Sequence, residues 1–569
     1  MRNLKLFLFL FLLFLSSCGG GGGEGGGDTT STITVSGQFI SSYVEGMKVC
    51  DDFGNCTFTD SQGKFYLETD HLPPVRLNFW IDSVKVGSYT LQRNGEIINP
   101  FKLTSSFDAG DALAKFIHGM AGDATGSLQN LNFSGIRVIS SNLLNGESLA
   151  DAVSGDETVQ VTLSDSSGNE YSVEYLPSDG SVKLCSDENC VDVNYRQWLV
   201  LVYMAADNNL NNYAYQDLEE MASVSINPQV KLVVLTDFQN GKDKISESDE
   251  VTGDLVTQQL NSDVDSGNYE TLESFVETYY TRYPAKNVAL ILWDHGDGWR
   301  SERFAAVDET VSDYLLMFQL SQALADLKNK GISFSLVGFD ECLMGMEEVL
   351  YDVKDYAGYF VASEGYEPGE GWDYQKILSF LSSNPEATPE EFGRAIVDAY
   401  REAYSGYTSS YTLTLALFRR EDVERVASDL NQLYQDLNDQ TFSDFQSARN
   451  SAQQVVCSPS DTSCSYYYVD LYTFALPLSQ SYPAAQDIVS VINSLYRVVI
   501  PGSDERDLHG LSIYFPANWT EADNSGFSCY TMEIPGTCIF NGEEVTGYYN
   551  PFAVGTYWDN FLKEYLSLE

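Results

Sequence analysis

The sequence predicts an α/β fold, a sandwich with a mostly parallel central sheet, preceded by a small β-rich, sandwich-like domain. Three observations carry this expectation. Continuous apolar runs recur at 198–205, 230–236, 288–293, 334–339 and 359–363; uninterrupted runs of that length suit strands buried on both faces of a parallel sheet. Helix-periodic stretches lie between or beside them at 212–224, 269–283, 312–330 and 343–353, the alternation that βαβ crossovers require. Before residue 105 the pattern is different: short alternating runs are broken by turn sequences such as Asp52-Phe53-Gly54-Asn55 and Asp60-Ser61-Gln62-Gly63.

In chain order, 1–17 read as an export signal. Arg2 and Lys5 precede an apolar run from Leu6 to Leu15, too short to span a bilayer and laid out like a signal peptide. Leu15-Ser16-Ser17-Cys18 resembles a bacterial lipobox, which predicts lipidation of Cys18. Residues 18–31 form a Gly-rich tether, 32–104 the β-sandwich-like module, 105–195 a mixed α/β linking region with a helix at 108–122 and hairpins over 158–194, and 196–569 the large α/β domain. TDSQGKFYL resembles the carboxypeptidase-regulatory-type module of bacterial surface proteins. Further helices are expected at 388–404, 421–456, 484–498 and 551–567, and a buried strand over 508–516.

The 569 residues include 82 acidic and 32 basic side chains, a formal charge of −50. That field repels nucleic-acid phosphates and anionic headgroups, so nucleic acid is excluded as a partner and membrane contact is expected through the lipid anchor only. The expected location is the bacterial cell envelope, at the outer membrane or cell surface.

Ten cysteines sharpen the reading. Eight fall into close pairs, Cys50/Cys56, Cys185/Cys190, Cys457/Cys464 and Cys529/Cys538, which in an exported chain suggest short-loop disulfides. Spacing leaves the connectivity open. Cys18 is assigned to lipid, and Cys342 remains as a candidate reactive thiol.

Ligand sites of open α/β sheets lie at the carboxyl ends of strands. There the sequence has Asp294-His295-Gly296-Asp297-Gly298-Trp299, Asp340-Glu341-Cys342-Leu343-Met344-Gly345 and Glu364-Gly365-Tyr366-Glu367-Pro368-Gly369. If the strands before His295 and Cys342 are neighbours, an imidazole meets a thiol, the pair a cysteine nucleophile needs for activation and for protonating a leaving amine. No His-Glu-x-x-His, Gly-x-Ser-x-Gly or phosphate loop is present.

The segments WLVLVYMAADNNLN, LILWDHGDGW, VGFDECLMGMEEV and ASEGYEPGEGWDY, in that order and followed by HGLSIYFP, closely resemble the clostripain family of cysteine peptidases over about 198–566. The resemblance implies a caspase-like αβα sandwich, His295 and Cys342 as a catalytic dyad, and the amides of Gly296 and Cys342 as oxyanion donors. It also implies Asp340 as the anchor for a basic substrate side chain, with peptides carrying Arg, and secondarily Lys, at the cleavage site as substrates. Glu364 is expected to assist substrate binding. Glu341 departs from the small residue common in relatives, and strand alternation turns it away from the thiol. No cofactor is required for such chemistry. Relatives can depend on calcium and on self-cleavage; 261–267 faintly resembles a calcium loop, and 297–313, with Arg300 and Arg303, is the expected region of an internal cut. The rival reading is a cell-surface binding or scaffold protein with an inactive peptidase-like core.

Overall fold

The computed structural model describes residues 32–126, 130–186, 189–239, 241–299, 307–311, 313–456, 467–540 and 543–569. The expected signal sequence, Cys18, the expected tether, Arg300, Arg303, Cys457 and Cys464 lie outside the described residues.

The large domain is built on a nine-stranded sheet: β1 (Trp198–Ala206), β2 (Val230–Phe238), β3 (Lys244–Ser248), β4 (Leu255–Gln259), β5 (Asn287–Trp293), β6 (Phe334–Asp340), β7 (Ala357–Ala362), β8 (Leu413–Arg419) and β9 (Tyr496–Ile500), in the order β4-β3-β2-β1-β5-β6-β7-β8-β9. The five central strands are parallel and both flanks antiparallel. Every residue of β1 and β2 is buried, as the unbroken apolar runs predict. Successive residues of β1 feed different cores. Leu199, Leu201 and Tyr203 join one, while Trp198, Val200 and Val202 join the other, as a two-residue side-chain period requires.

Helices α1 (Asn211–Ala222), α5 (Tyr374–Ser383) and α6 (Pro389–Ala403) cover the second core. On the opposite face lie α2 (Tyr269–Arg282), α3 (Met317–Asn329), α4 (Glu347–Val353) and α7 (Arg420–Asp436), completing the three-layer αβα sandwich. Helix α6 shows how sequence sets an end: Thr388 accepts from the Glu391 amide and the Glu391 carboxylate returns to Thr388, a capping box with Pro389 at the first helical position.

Several expectations are corrected. The helix expected from 343 starts at Glu347, because Leu343 has φ 65° and cannot sit inside a right-handed helix. The single helix expected over 421–456 is α7 followed by Phe442–Ser451, broken at the Asn438 turn. The end of the helix expected over 484–498 is strand β9. The strand expected over 508–516 is only Ser512–Tyr514 and pairs with Tyr468–Asp470 outside the main sheet.

Residues 32–193 share one core in which Val35, Phe79, Phe116, Val161 and Val193 are all buried. The boundary expected at 104/105 therefore falls inside a packed unit. Its β-rich character holds, with four-, three- and five-stranded sheets. Cys50–Cys56, Cys185–Cys190 and Cys529–Cys538 are disulfides, and Cys342 is a free thiol.

Candidate active site

Strands β5 and β6 are parallel neighbours, and Trp293 pairs with Asp340 at their carboxyl ends. His295 and Cys342 each lie two residues beyond that pair, so both leave adjacent strands at the same depth. The two loops are in close contact: a Cβ added to Gly296 would lie 2.1 Å from the Cys342 carbonyl oxygen and 3.0 Å from Glu341 Cβ. Glycine is what lets the histidine loop lie against the cysteine loop.

His295 Nε2 is 2.7 Å from Asn209 Oδ1. An amide oxygen only accepts, so in this arrangement Nε2 carries the hydrogen. Asn209 stands just beyond β1, where Asn208 donates to Asp294 Oδ1 at 2.7 Å. The end of β1 thus supports the histidine loop twice. The sequence reading includes Asn209 in a motif without giving it a role, because its partner is 86 residues away.

Cys342 is half-buried. Its sulfur accepts from the Glu367 amide at 3.2 Å and lies 3.8 Å from the Glu367 carbonyl oxygen. Burial pushes the thiol up to about 12, the Glu367 amide opposes the shift, and the charges of Glu367, Glu341 and Asp297 add to it. Glu341, which strand alternation turns away from the thiol, is nevertheless buried. It is 1% exposed, neither carboxylate oxygen has a hydrogen-bond partner among the described residues, and its charge acts on the sulfur.

Asp340 is buried at the end of β6. The Tyr374 hydroxyl donates to its Oδ2 at 2.8 Å and the Trp372 amide at 3.4 Å. Burial raises its carboxyl to about 7. Glu367 feels the Asp340 charge and is itself pushed well up, chiefly by burial. Asp217, bonded to Trp293 Nε1 at 2.7 Å, is raised to about 9 by burial and then by Asp340. Asp340, Glu367 and Asp217 therefore form a largely buried acidic cluster linked through the Asp340 charge. Glu364 is not part of it. Its Oε2 accepts from the Gly510 amide at 2.6 Å, and the charge acting on it is Asp470. Of the carboxylates whose charges act on the thiol, Glu367 has the largest effect. A cleft of about 410 Å³ opens beside it, walled by Tyr366, Tyr407, Tyr411 and Leu413.

A family model for the clostripain family matches residues 202–565. The chain belongs to the clostripain family. Clostripain of Hathewaya histolytica is 24% identical over 235 residues, covering 34% of this chain and 43% of that protein, so the chain spans less than half the length of this relative. A secreted C11 cysteine protease from Bacteroides thetaiotaomicron, solved with an irreversible peptide inhibitor, aligns over 56% of this chain and 93% of its own with TM-score 0.46 and 20% identity. An inactive zymogen C11 protease from Parabacteroides distasonis aligns over 56% and 91% with TM-score 0.45 and 20% identity.

Clostripain-family proteins are cysteine peptidases, whose chemistry needs no cofactor. In the 261–267 loop, Asn261 and Asp263 are exposed. No helix among the described residues is long and apolar enough to cross a membrane.

The buried carboxyls set a pH dependence of stability. Asp340 and Glu348 are raised to about 7, Asp308 to about 6, and Asp217 and Asp237 to about 9, each mainly by burial. A raised carboxyl keeps its proton in the folded state after the unfolded chain has lost it. Its stabilisation is complete below the unfolded value and disappears as pH rises through the folded one. Between about pH 5 and 8, in a chelator-containing buffer, the melting temperature is expected to fall as pH rises. A melting temperature that climbs over that window would contradict this account of the acidic core.

Proposed function

We propose that the chain is an exported, lipid-anchored cysteine endopeptidase cleaving peptide bonds after arginine, with Cys342 as nucleophile and His295 as general acid and base. The observation that carries this reading is the β5–β6 register, which brings the two loops out side by side with Gly296 against the Cys342 backbone. In this mechanism Cys342 Sγ attacks the scissile carbonyl carbon while its proton passes to His295. The amides of Gly296 and Cys342 receive the developing oxyanion. His295 then protonates the leaving amine, and water hydrolyses the acyl-enzyme through the same imidazole.

The largely buried acidic cluster around Asp340 favours a cationic side chain next to the scissile bond, since a nearby cation stabilises a carboxylate in its charged form. A guanidinium offers paired donors to such carboxylates, which is why arginine is preferred over lysine. It also offsets the charges that raise the thiol, so a basic substrate favours its own attack. Lipidation at Cys18 and a cell-envelope location rest on the Leu15-Ser16-Ser17-Cys18 pattern.

The test is hydrolysis of a reporter series differing only in the residue before the bond. The expected order is Arg, then Lys, then Gln or Ala, and no preference for cations would exclude the specificity proposed. Asn209 acts in this scheme as a positioning residue for His295. Asn209→Ala is expected to lower kcat on the order of 10- to 100-fold with KM nearly unchanged, part of the effect of a well-placed acid–base group. Asn209→Asp should recover activity but move the acidic limb of the pH profile upward, because a carboxylate beside imidazole favours its charged form. A purely structural Asn209 would leave that limb in place.

A further inference from the structure

Away from the thiol, three aspartates converge at strand ends. Asp207 follows β1, Asp237 lies near the end of β2, and Asp308 closes the short strand Val307–Asp308. They are 2%, 1% and 0% exposed, and one carboxylate oxygen from each lies within 4.8 Å of the others. The charges acting on Asp237 are Asp308, Asp243 and Asp207, all of one sign; those acting on Asp308 are Asp207 and Asp265.

Among the described residues, each of two carboxylates is tied at one oxygen and has no hydrogen-bond partner at the other. Asp237 Oδ2 accepts from Ser266 Oγ at 2.6 Å and Ser266 N at 3.3 Å, while its Oδ1 has no partner. Asp308 Oδ1 accepts from Val311 N at 3.0 Å, while its Oδ2 has none. Buried carboxylates without partners are costly, and a cation that takes the bare oxygens removes that cost. The donor set is all carboxylate, with no histidine or cysteine, which suits a hard cation and not zinc or copper.

We propose that Asp207, Asp237 and Asp308 hold a divalent cation of the calcium class, and that this cation positions His295 through the end of β1. The link is short. Asp207 precedes Asn208, which holds Asp294, and Asn209, which holds His295. The Asp207 carbonyl also accepts from Glu309 N at 2.9 Å, so one ion would tie β1, β2 and the 308–311 segment together. The binding site stands on its own geometry; the positioning step rests on the role proposed for His295.

Terbium is a suitable probe because Tyr203 lies beside the cluster. Its phenol is buried, donates to the Ser266 carbonyl at 2.9 Å and feels the charges of Asp237, Asp265 and Asp308. Terbium luminescence excited through tyrosine is measured on the mature full chain carrying Cys342→Ala, so that turnover and self-cleavage do not intrude. One saturable component, displaced by calcium, is expected. Asp237→Asn and Asp308→Asn should each weaken it at least tenfold, while the exposed control Asp179→Asn leaves it unchanged. In parallel, calcium over chelator should raise the melting temperature of the unsubstituted chain, as a ligand specific to the native state must, and not that of the two variants. No saturable component together with no calcium-induced shift in the unsubstituted chain would overturn the site, as would binding that survives both substitutions. If calcium binds as described but its removal leaves kcat on an arginyl reporter unchanged, the positioning step is overturned. A chain that hydrolyses no reporter still gives the luminescence result, so failure of the site and failure of the peptidase reading are distinguishable.

Discussion

Cys342→Ala is expected to lower hydrolysis of an arginyl reporter by a factor on the order of 10⁴ to 10⁶, the range over which a covalent nucleophile is lost from comparable machinery. The fold should persist. The side chain is half-buried and its hydrogen-bond partners are the Glu367 amide and carbonyl, so truncation leaves no charge uncompensated and the melting temperature should move by only a few degrees. Reactivity of the free thiol should carry the same signature. With the group pushed up to about 12, little thiolate is present at pH 7.5, and alkylation by a small neutral reagent should accelerate steadily toward pH 10. A saturable arginyl ligand should raise the rate at pH 7.5 by neutralising Glu367 and Asp340. Full reporter activity in the alanine variant would instead favour a scaffold whose peptidase-like core is not the working part.

Asp340→Asn is the second large effect. Asparagine keeps an acceptor for the Tyr374 hydroxyl, so the change removes charge with little change of shape. Removing one partner of a buried charged pair costs roughly 2–5 kcal/mol. On that basis kcat/KM for the arginyl reporter should fall by about 10² to 10³, with a much smaller loss for a neutral reporter. The pH dependence gives an independent reading. Asp340 titrates near 7 in the free protein because burial disfavours its charged form, and only the charged form attracts a guanidinium. In the parent chain kcat/KM for Arg should rise with pH through about 7, and in Asp340→Asn that limb should flatten. An unaltered limb and unaltered Arg preference would remove Asp340 from the specificity pocket and direct attention to Glu367.

The sequence revealed the parts of this molecule whose burial is uniform. β1, β2, β5, β6 and β7 read as apolar runs because both faces are covered. β3 and β4 did not, since Lys244–Ser248 and Leu255–Gln259 form the antiparallel flank of the sheet and carry polar residues, and β9 resembled the end of a helix. The positions of His295 and Cys342 were readable because strand ends fix where loops begin. Their supports were not. Asn209, Glu367 and Asp217 reach the site from other elements, and no local spacing joins them. The three aspartates are a sharper case, since the sequence pattern pointed to 261–267 while the clustered carboxylates come from 207, 237 and 308. Strand alternation gives no information on the burial of Glu341, because β6 ends at Asp340 and the next side chain follows a loop.

The most direct test is to treat the mature chain with an arginyl peptide bearing a thiol-reactive group and map the adduct by mass spectrometry. The account predicts a single adduct on Cys342, blocked by excess arginyl substrate and greatly slowed in His295→Ala. An adduct on any other residue, or labelling of Cys342 at the same rate whether the peptide ends in arginine or alanine and whether His295 is present or not, would contradict it.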